Sequence, residues 1–124
     1  MRVLKALADG GAGVLMGTDS PQIFSVPGFS LHREMEAMAE AGMTPYQILV
    51  SGTQAVGEYF SRQDSFGTVA IGRRADLILL NSNPLRDIGN VQDRAGVMLR
   101  GRWLPEDMIQ SRLAEIEQRF ATDR

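Results

Sequence analysis

The stretch Val14-Leu15-Met16-Gly17-Thr18-Asp19-Ser20-Pro21 sets a short apolar run directly against a polar, proline-ended stop. Three apolar residues in a row, bounded by glycines, show no alternation of apolar and polar positions. That pattern predicts a strand buried on both faces, the kind found in parallel sheets. Upstream, Val3 to Ala8 reads as the end of a helix. Asp9-Gly10-Gly11 breaks it, because glycine accepts the left-handed angles of a helix end. Downstream, Gln22 to Phe29 is irregular, with Pro27-Gly28 as a turn signal.

Working outward, helical punctuation comes next. Ser30 is placed to cap a helix reaching about Ala41, with Leu31, Met35 and Met38 at three- and four-residue spacing. Gly42 ends it. In Thr44-Pro45-Tyr46-Gln47, Thr44 can cap, Pro45 suits the first helical position and Gln47 completes a capping box. Ile48, Leu49, Val56, Tyr59 and Phe60 are expected to face a core. Gly52-Thr53 divides this stretch into two short helices, with Thr53 capping the second.

After Arg62 the character changes. Phe66 to Gly72 and Asp76 to Leu80 predict two strands around a Gly-Arg-Arg turn. Asn81 to Asn90 reads as loop. Val97-Met98-Leu99 and Trp103-Leu104 flank Arg100-Gly101-Arg102 as a tight hairpin. Pro105 opens a last helix, with Glu106 and Asp107 near its positive end. Ile109, Leu113, Ile116 and Phe120 fall on one face of it.

Composition narrows the function classes. The 124 residues carry 13 Lys+Arg and 15 Asp+Glu, a formal net charge of -2. This balance gives no basic footprint for nucleic acid. Hydrophobic residues make up 44%, which is typical of folded domains and argues against disorder. No apolar run approaches the roughly 20 residues of a membrane span. The N-terminus lacks the long apolar core of a signal peptide, so a cytoplasmic protein is expected. Zero cysteines exclude disulfides, thiolate metal sites and a thiol nucleophile. A single histidine excludes a metal site needing two imidazoles from this chain alone.

Three motifs in order carry a resemblance. They are Gly17-Thr18-Asp19-Ser20-Pro21; Ala41-Gly42-Met43-Thr44-Pro45 running on to Thr53; and Gly67-Thr68-Val69 through Gly72, then Arg74-Ala75-Asp76-Leu77-Ile78-Leu79-Leu80 and Asn83-Pro84-Leu85-Arg86-Asp87-Ile88. Over about residues 3–104 the chain resembles the C-terminal third of a metal-dependent amidohydrolase of the imidazolonepropionase and prolidase-like branch. The resemblance implies an α/β fold in three parts. Residues 1–62 would be the last strand and helices of a (β/α)8 barrel. Residues 63–104 would be a β-segment of a composite β-sandwich, and 105–124 a terminal helix. A complete barrel needs about 250 residues, so only a partial barrel end is expected.

The resemblance also implies chemistry. Barrel enzymes place catalytic groups at the C-terminal ends of strands, and Asp19 lies just past the apolar run. Its implied role is to bind a divalent, zinc-type metal or the metal's water, then accept a proton as metal-bound hydroxide attacks an amide carbonyl. A carboxylate suits both tasks, as a hard oxygen ligand and a weak base. The implied substrate is a small amide, dipeptide or cyclic amide. Read from its own five residues, Asp19 is equally a turn or helix-cap aspartate. His32, in a His-x-Glu context, has two readings: a substrate contact, or a polar residue closing the loop by hydrogen bonding.

The remaining ligands of such a site have no counterpart. There is no His-x-His pair, Lys5 is the only lysine and His32 the only histidine. A catalytic zinc takes three protein ligands and water. The chain alone is therefore expected to hold no stoichiometric metal and to be inactive, as a truncated product, a fragment or a decayed copy. The alternative is a non-catalytic assembly module. Orphaned strand edges and apolar faces predict self-association into a homo-oligomer, with strand exchange as one route.

Other conspicuous residues read as structural. Asp76 is expected to hydrogen-bond at a turn or strand edge, and Ser20 within its loop. Arg73-Arg74 and Arg100-Gly101-Arg102 are solvated turn charges, and Met35, Met38 and Met43 fill a core. Gly10-Gly11-Ala12-Gly13 precedes an apolar run and lacks a following Gly-Lys-Ser/Thr, so it is no phosphate loop.

Overall fold

In the computed structural model, which describes residues 2–121, the chain begins with helix α1, Arg2–Asp9. Gly11 takes a φ of 76°, and the backbone N–H groups of Gly10, Gly11 and Ala12 donate back to the carbonyls of Ala6, Ala8 and Leu7. The last turn is thereby satisfied and the chain reverses. At the end of α1, Asp9 pairs with Lys5 and accepts from Gln47 Nε2 at 3.2 Å, which ties this helix to a later one.

Val14-Leu15-Met16 does not form the expected strand. A strand requires a partner ladder, and here the Met16 N–H donates to the Ser51 carbonyl at 3.1 Å. Burial alternates along it instead of covering both faces. Val14 and Met16 pack on the core, whereas Leu15 is 43% exposed.

Helix α2 spans Ser30–Glu40. Phe29, already at helical angles, takes the N-cap position, so Ser30 is the first helical residue rather than the cap. The Ser30 hydroxyl instead reaches back and accepts from the Val26 N–H at 2.8 Å. Met35 and Met38 are buried, and Gly42 ends the run with a φ of 95°. Helix α3, Pro45–Gly52, starts as its sequence predicts. Gln47 N donates to Thr44 Oγ1 at 3.3 Å, and Thr44 N donates to Gln47 Oε1 at 2.9 Å.

Helix α4, Gln54–Tyr59, gets no side-chain cap from Thr53, whose hydroxyl donates to the Leu49 carbonyl at 2.6 Å. Tyr59 and Phe60 do not reach the core. They are exposed and pack edge to face on each other, with ring centroids 4.9 Å apart. The covered side of α4 is the one carrying Gly57. A Cβ there would lie 2.2 Å from the Phe66 carbonyl oxygen, and one on Gly67 would lie 2.5 Å from that of Thr53. Tyr59 sits roughly 200° further round the helix.

That close crossing explains a second missing strand. Phe66 to Gly72 runs over α4 as irregular chain and pairs with no strand. Its apolar Val69 and Ile71 point to solvent. Strand β1 is Leu77–Leu80, and its partner lies further along the chain, in β2, Arg94–Leu99. Their antiparallel register sets Leu77 against Met98, Ile78 against Val97 and Leu79 against Gly96, with an irregularity between Leu79 and Leu80. Between them, Ile88–Gln92 winds into a 3-10 turn that buries Ile88.

The predicted hairpin is present. Strand β3, Arg102–Pro105, follows β2 through Arg100 and Gly101, both at positive φ, 50° and 79°. A two-residue turn with both residues left-handed matches the twist of the strands it joins. Gly96 is required in β2, because a Cβ would fall 2.4 Å from the Trp103 ring. The three-stranded antiparallel sheet has the order β1-β2-β3.

Helix α5, Glu106–Ala121, leaves β3 directly. Arg94 Nε lies 2.8 Å from Glu106 Oε2, which fastens its first turn to β2. Ile109 and Leu113 are half-buried, but Ile116 and Phe120 on the same face are exposed. The apolar stripe outruns the surface available to cover it.

The core holds Met35, Met38, Met43, Ile48 and Ile88, lined by residues including Leu4, Val14, Met16 and Leu49. It is small for the chain. The accessible surface is 9311 Å², against about 6,600 Å² expected for a folded monomer of this mass. Among the described residues no helix is long and apolar enough to cross a membrane.

Candidate functional site

The loop after Met16 is shaped by hydroxyl groups. Thr18 Oγ1 and Ser20 Oγ are 2.9 Å apart, and Ser20 Oγ is also bonded to Ser25 Oγ. Thr18 and Ser20 are half-buried, so this chain of bonds pins the loop on both sides of Asp19. Asp19 itself adopts a φ of 49°. Aspartate tolerates the left-handed region better than most residues. Its carboxylate is exposed and takes part in no hydrogen bond or ion pair among the described residues. Ser20 therefore does the loop hydrogen bonding expected of it, while Asp19 caps no helix. Phe24, at φ 65°, is a second left-handed position, and Gln22 and Ser25 form an isolated bridge.

His32 lies in the first turn of α2 and is half-buried. Its Nδ1 is buried and has no partner among the described residues. The loop closure that His32 was a candidate to supply comes from Ser30, through the bond from Val26. A depression of about 240 Å³ beside the loop is lined by Thr18, Phe24, Ser25, Ser30, Arg33 and Glu34. Neither Asp19 nor His32 lines it. Sequence reasoning did not single out Arg33, and noted Glu34 only as the context of His32. Their signal is their place beside His32 at the start of α2, where Arg33 is exposed about 200° round the helix from Met35 and Glu34 is half-buried.

A larger cleft of about 480 Å³ opens between the helices and β1, with Met16, Leu31, Met35, Phe66, Ile78 and Val91 on its walls. It is mainly apolar. Asp76, which also touches it, is occupied elsewhere. Asp76 Oδ1 accepts from the Arg100 N–H at 2.7 Å, and Oδ2 accepts from Arg74 Nε at 2.6 Å. The Arg100 amide, then the Arg74 guanidinium, hold its carboxyl below the usual carboxylate range. Arg74 also pairs with Asp64 and lies 4.8 Å over the Phe66 ring. Asp76 is thus the turn and strand-edge hydrogen bonder its position suggests.

Among the described residues no group of three His, Cys, Asp or Glu side chains is arranged to hold a metal ion. Lys5 is engaged with Asp9.

The chain matches the model of the amidohydrolase family over residues 1–104. No curated protein matches it. Among solved structures, it is similar to a candidate prolidase from Bifidobacterium longum, at 29% identity and a TM-score of 0.70, covering 82% of this chain and 25% of that one. It is also similar to molinate hydrolase, at 26% identity and a TM-score of 0.66, covering 82% and 25%. Phenylurea hydrolase B follows, at 25% identity and a TM-score of 0.68, covering 82% and 26%. The chain spans about a quarter of the length of these solved proteins. The ordered motifs, the mixed α/β fold and a family match reaching from α1 through the hairpin agree, and the chain belongs to the amidohydrolase family.

Proposed function

We propose that this chain is the C-terminal part of a metal-dependent hydrolase that cleaves amide, dipeptide or cyclic-amide C–N bonds in small substrates. The observation that carries the reading is the family match over residues 1–104. Asp19 stands within it as an uncommitted carboxylate on a loop pinned from both sides. The names of the similar structures, prolidase-type, molinate hydrolase and phenylurea hydrolase, support hydrolysis as the reaction class. In this reading residues 1–62 contribute the last strand and helices of a barrel. Val14-Leu15-Met16 would gain its ladder partners only from barrel strands beyond this chain.

The family is generally metal-dependent, and a divalent zinc-type ion would supply an activated water. The described residues of this chain do not by themselves fit such a centre. Asp19 is one donor, and among the described residues no group of three His, Cys, Asp or Glu side chains includes it. Asp19 is therefore proposed as a single ligand and proton acceptor within a donor set completed from outside these residues. His32 is retained as a substrate contact, on the ground that its buried Nδ1 lacks a partner. The proposed setting is cytoplasmic, with no nucleic-acid or membrane partner.

The test uses two proteins. The chain alone, given zinc or manganese and a panel of N-acyl amino acids, dipeptides and lactams, is expected to show no robust turnover. A chimera in which residues 1–104 replace the matching quarter of the Bifidobacterium longum protein is expected to hydrolyse the panel. Asp19→Asn in that chimera should lower kcat at least 100-fold, as loss of a group acting in the chemical step does. Undiminished turnover in the substituted chimera would overturn the assignment. A second reading is a self-associating module without catalysis, which light scattering of the purified chain at micromolar concentration tests.

A further inference from the structure

Arg33 and Glu34 follow one another on α2 and line the same depression of about 240 Å³, together with Thr18, Ser25 and Ser30. Adjacent helical residues do not face one another, so the two charges do not pair along the helix. Neither side chain enters an ion pair or a hydrogen bond among the described residues. Glu34 is half-buried, and a carboxylate drawn out of water is ordinarily paired or hydrogen-bonded. The hydroxyl groups add donors. Thr18, Ser20 and Ser25 each carry one hydroxyl proton, but two links join them, which leaves one proton over. Ser30 Oγ accepts from the Val26 N–H, so its own proton is also uncommitted.

We infer that this depression binds a free α-amino acid in its zwitterionic form. Glu34 accepts from the ammonium group. Arg33, Ser30 and the chain of hydroxyls from Thr18 to Ser25 donate to the carboxylate, which a guanidinium fork matches in shape and charge. A lone anion would leave Glu34 unpaired and be repelled by it, and a lone cation would do the same to Arg33. The meaning of the site rests on the hydrolase reading, of which it names the product. In that reading the loop carrying Asp19 stands at the end of the last barrel strand, where such barrels hold their substrates, and Thr18 adjoins Asp19.

Amide hydrolysis brings the two charges together. The C–N bond breaks as a C–O bond forms with water. The acyl carbon becomes a carboxylate, and the nitrogen takes both hydrogens of the water to become an ammonium group. A dipeptide carries its ammonium and carboxylate at opposite ends. Each amino acid released from it carries both on a single carbon. A small depression offering one cation and one anion therefore favours the product over the uncleaved dipeptide. The consequence is product retention, in which free amino acid occupies the site and competes with the next substrate.

NMR titration of the isotope-labelled chain with alanine, N-acetylalanine, alaninamide and alanylalanine, at constant ionic strength, decides the matter. Alanine is expected to bind saturably, with a dissociation constant of about 1 to 10 mM, as suits a ligand of few heavy atoms. Its shifts should centre on the amides of Thr18, Ser25, Ser30, Arg33 and Glu34. The other three ligands, which lack one charge or hold the two apart, should bind at least tenfold more weakly. Arg33→Met and Glu34→Gln should each weaken alanine binding at least tenfold. Glu36→Gln, exposed on the same helix outside the depression, should leave it unchanged. Should a variant fail to fold, the comparison of ligands on the unaltered chain still decides. The absence of a saturable shift with alanine overturns the proposal, as does equal binding by any of the other three ligands. Neither result bears on the Asp19 chimera, so the two readings fail separately.

Discussion

The segment from α1 to α4 and the segment from β1 to α5 are both rich in apolar residues, yet they use them differently. The first supplies Met35, Met38, Met43 and Ile48 to the core, and the second contributes Ile88 from its 3-10 turn with Val91 beside it. No residue of α5 is buried, and three of the four residues of β1 are exposed. Helices close a core among themselves because each brings a curved apolar face to its neighbours. A three-stranded sheet with one helix covering part of it leaves the rest of its apolar surface facing water. Burial here follows the supply of covering surface, not the apolar content of the sequence.

The sharpest way to break this contrast is to remove a methyl-rich side chain from each part. Ile48 is fully buried, so Ile48→Ala should cost about 2–5 kcal/mol, measured by urea unfolding followed by circular dichroism. Ile116→Ala, on the exposed end of α5, should stay within about 0.5 kcal/mol in the same experiment. Equal losses would show that the β-containing part is as tightly held as the helices.

A smaller effect is expected from overfilling the sheet. Gly96→Ala puts a methyl group into the Trp103 ring, with the Leu104 carbonyl oxygen also only 2.7 Å away. The expected cost is about 1–3 kcal/mol. Because Trp103 is the only tryptophan, its fluorescence should shift before the helical signal changes. An unchanged emission spectrum would mean that the ring does not rest on Gly96 in solution.

The smallest effect concerns acid. Asp76 has a folded pKa below its ordinary value, chiefly through the Arg100 amide and then Arg74. A depressed carboxyl stabilises the fold above the unfolded pKa, near about 3.9, and loses that contribution as pH falls through the folded value. Stability should therefore decline below about pH 4, and Asp76→Asn should flatten the decline. A variant with the same acid profile as the parent would remove Asp76 from the account. Asp9 and Asp93 are lowered in the same direction, Asp9 by Lys5 and Gln47 and Asp93 by Asn81 and Ser82, so flattening will be partial.

What the sequence discloses follows the range of the forces involved. Signals confined to one turn are legible. The capping box of Thr44 and Gln47, the stop at Gly42 and the hairpin at Arg100-Gly101 all depend on neighbours within a few residues. Strands are less legible because their ladders come from afar. Phe66 to Gly72 has the composition of a strand but spends its backbone crossing α4, and Val14 to Met16 has no ladder among the described residues. Ser30 and Thr53 both have capping chemistry, yet each hydroxyl bonds instead to a backbone group four residues back along the chain. The position of Asp19 is legible from the motif. Its left-handed backbone is not, since this comes with hydroxyl bonds reaching forward to Ser25.

The crossing of Gly57 and Gly67 has a consequence for inheritance of shape. Between α4 and the chain that leads into the sheet, peptide meets peptide with no side chain interposed. No rotamer can adjust there, and no neighbouring substitution can be absorbed by a shift of side-chain packing. The angle at which the sheet leaves the helices is written in two hydrogen atoms. It can be preserved while the rest of the surface drifts, and it is lost by a single methyl group.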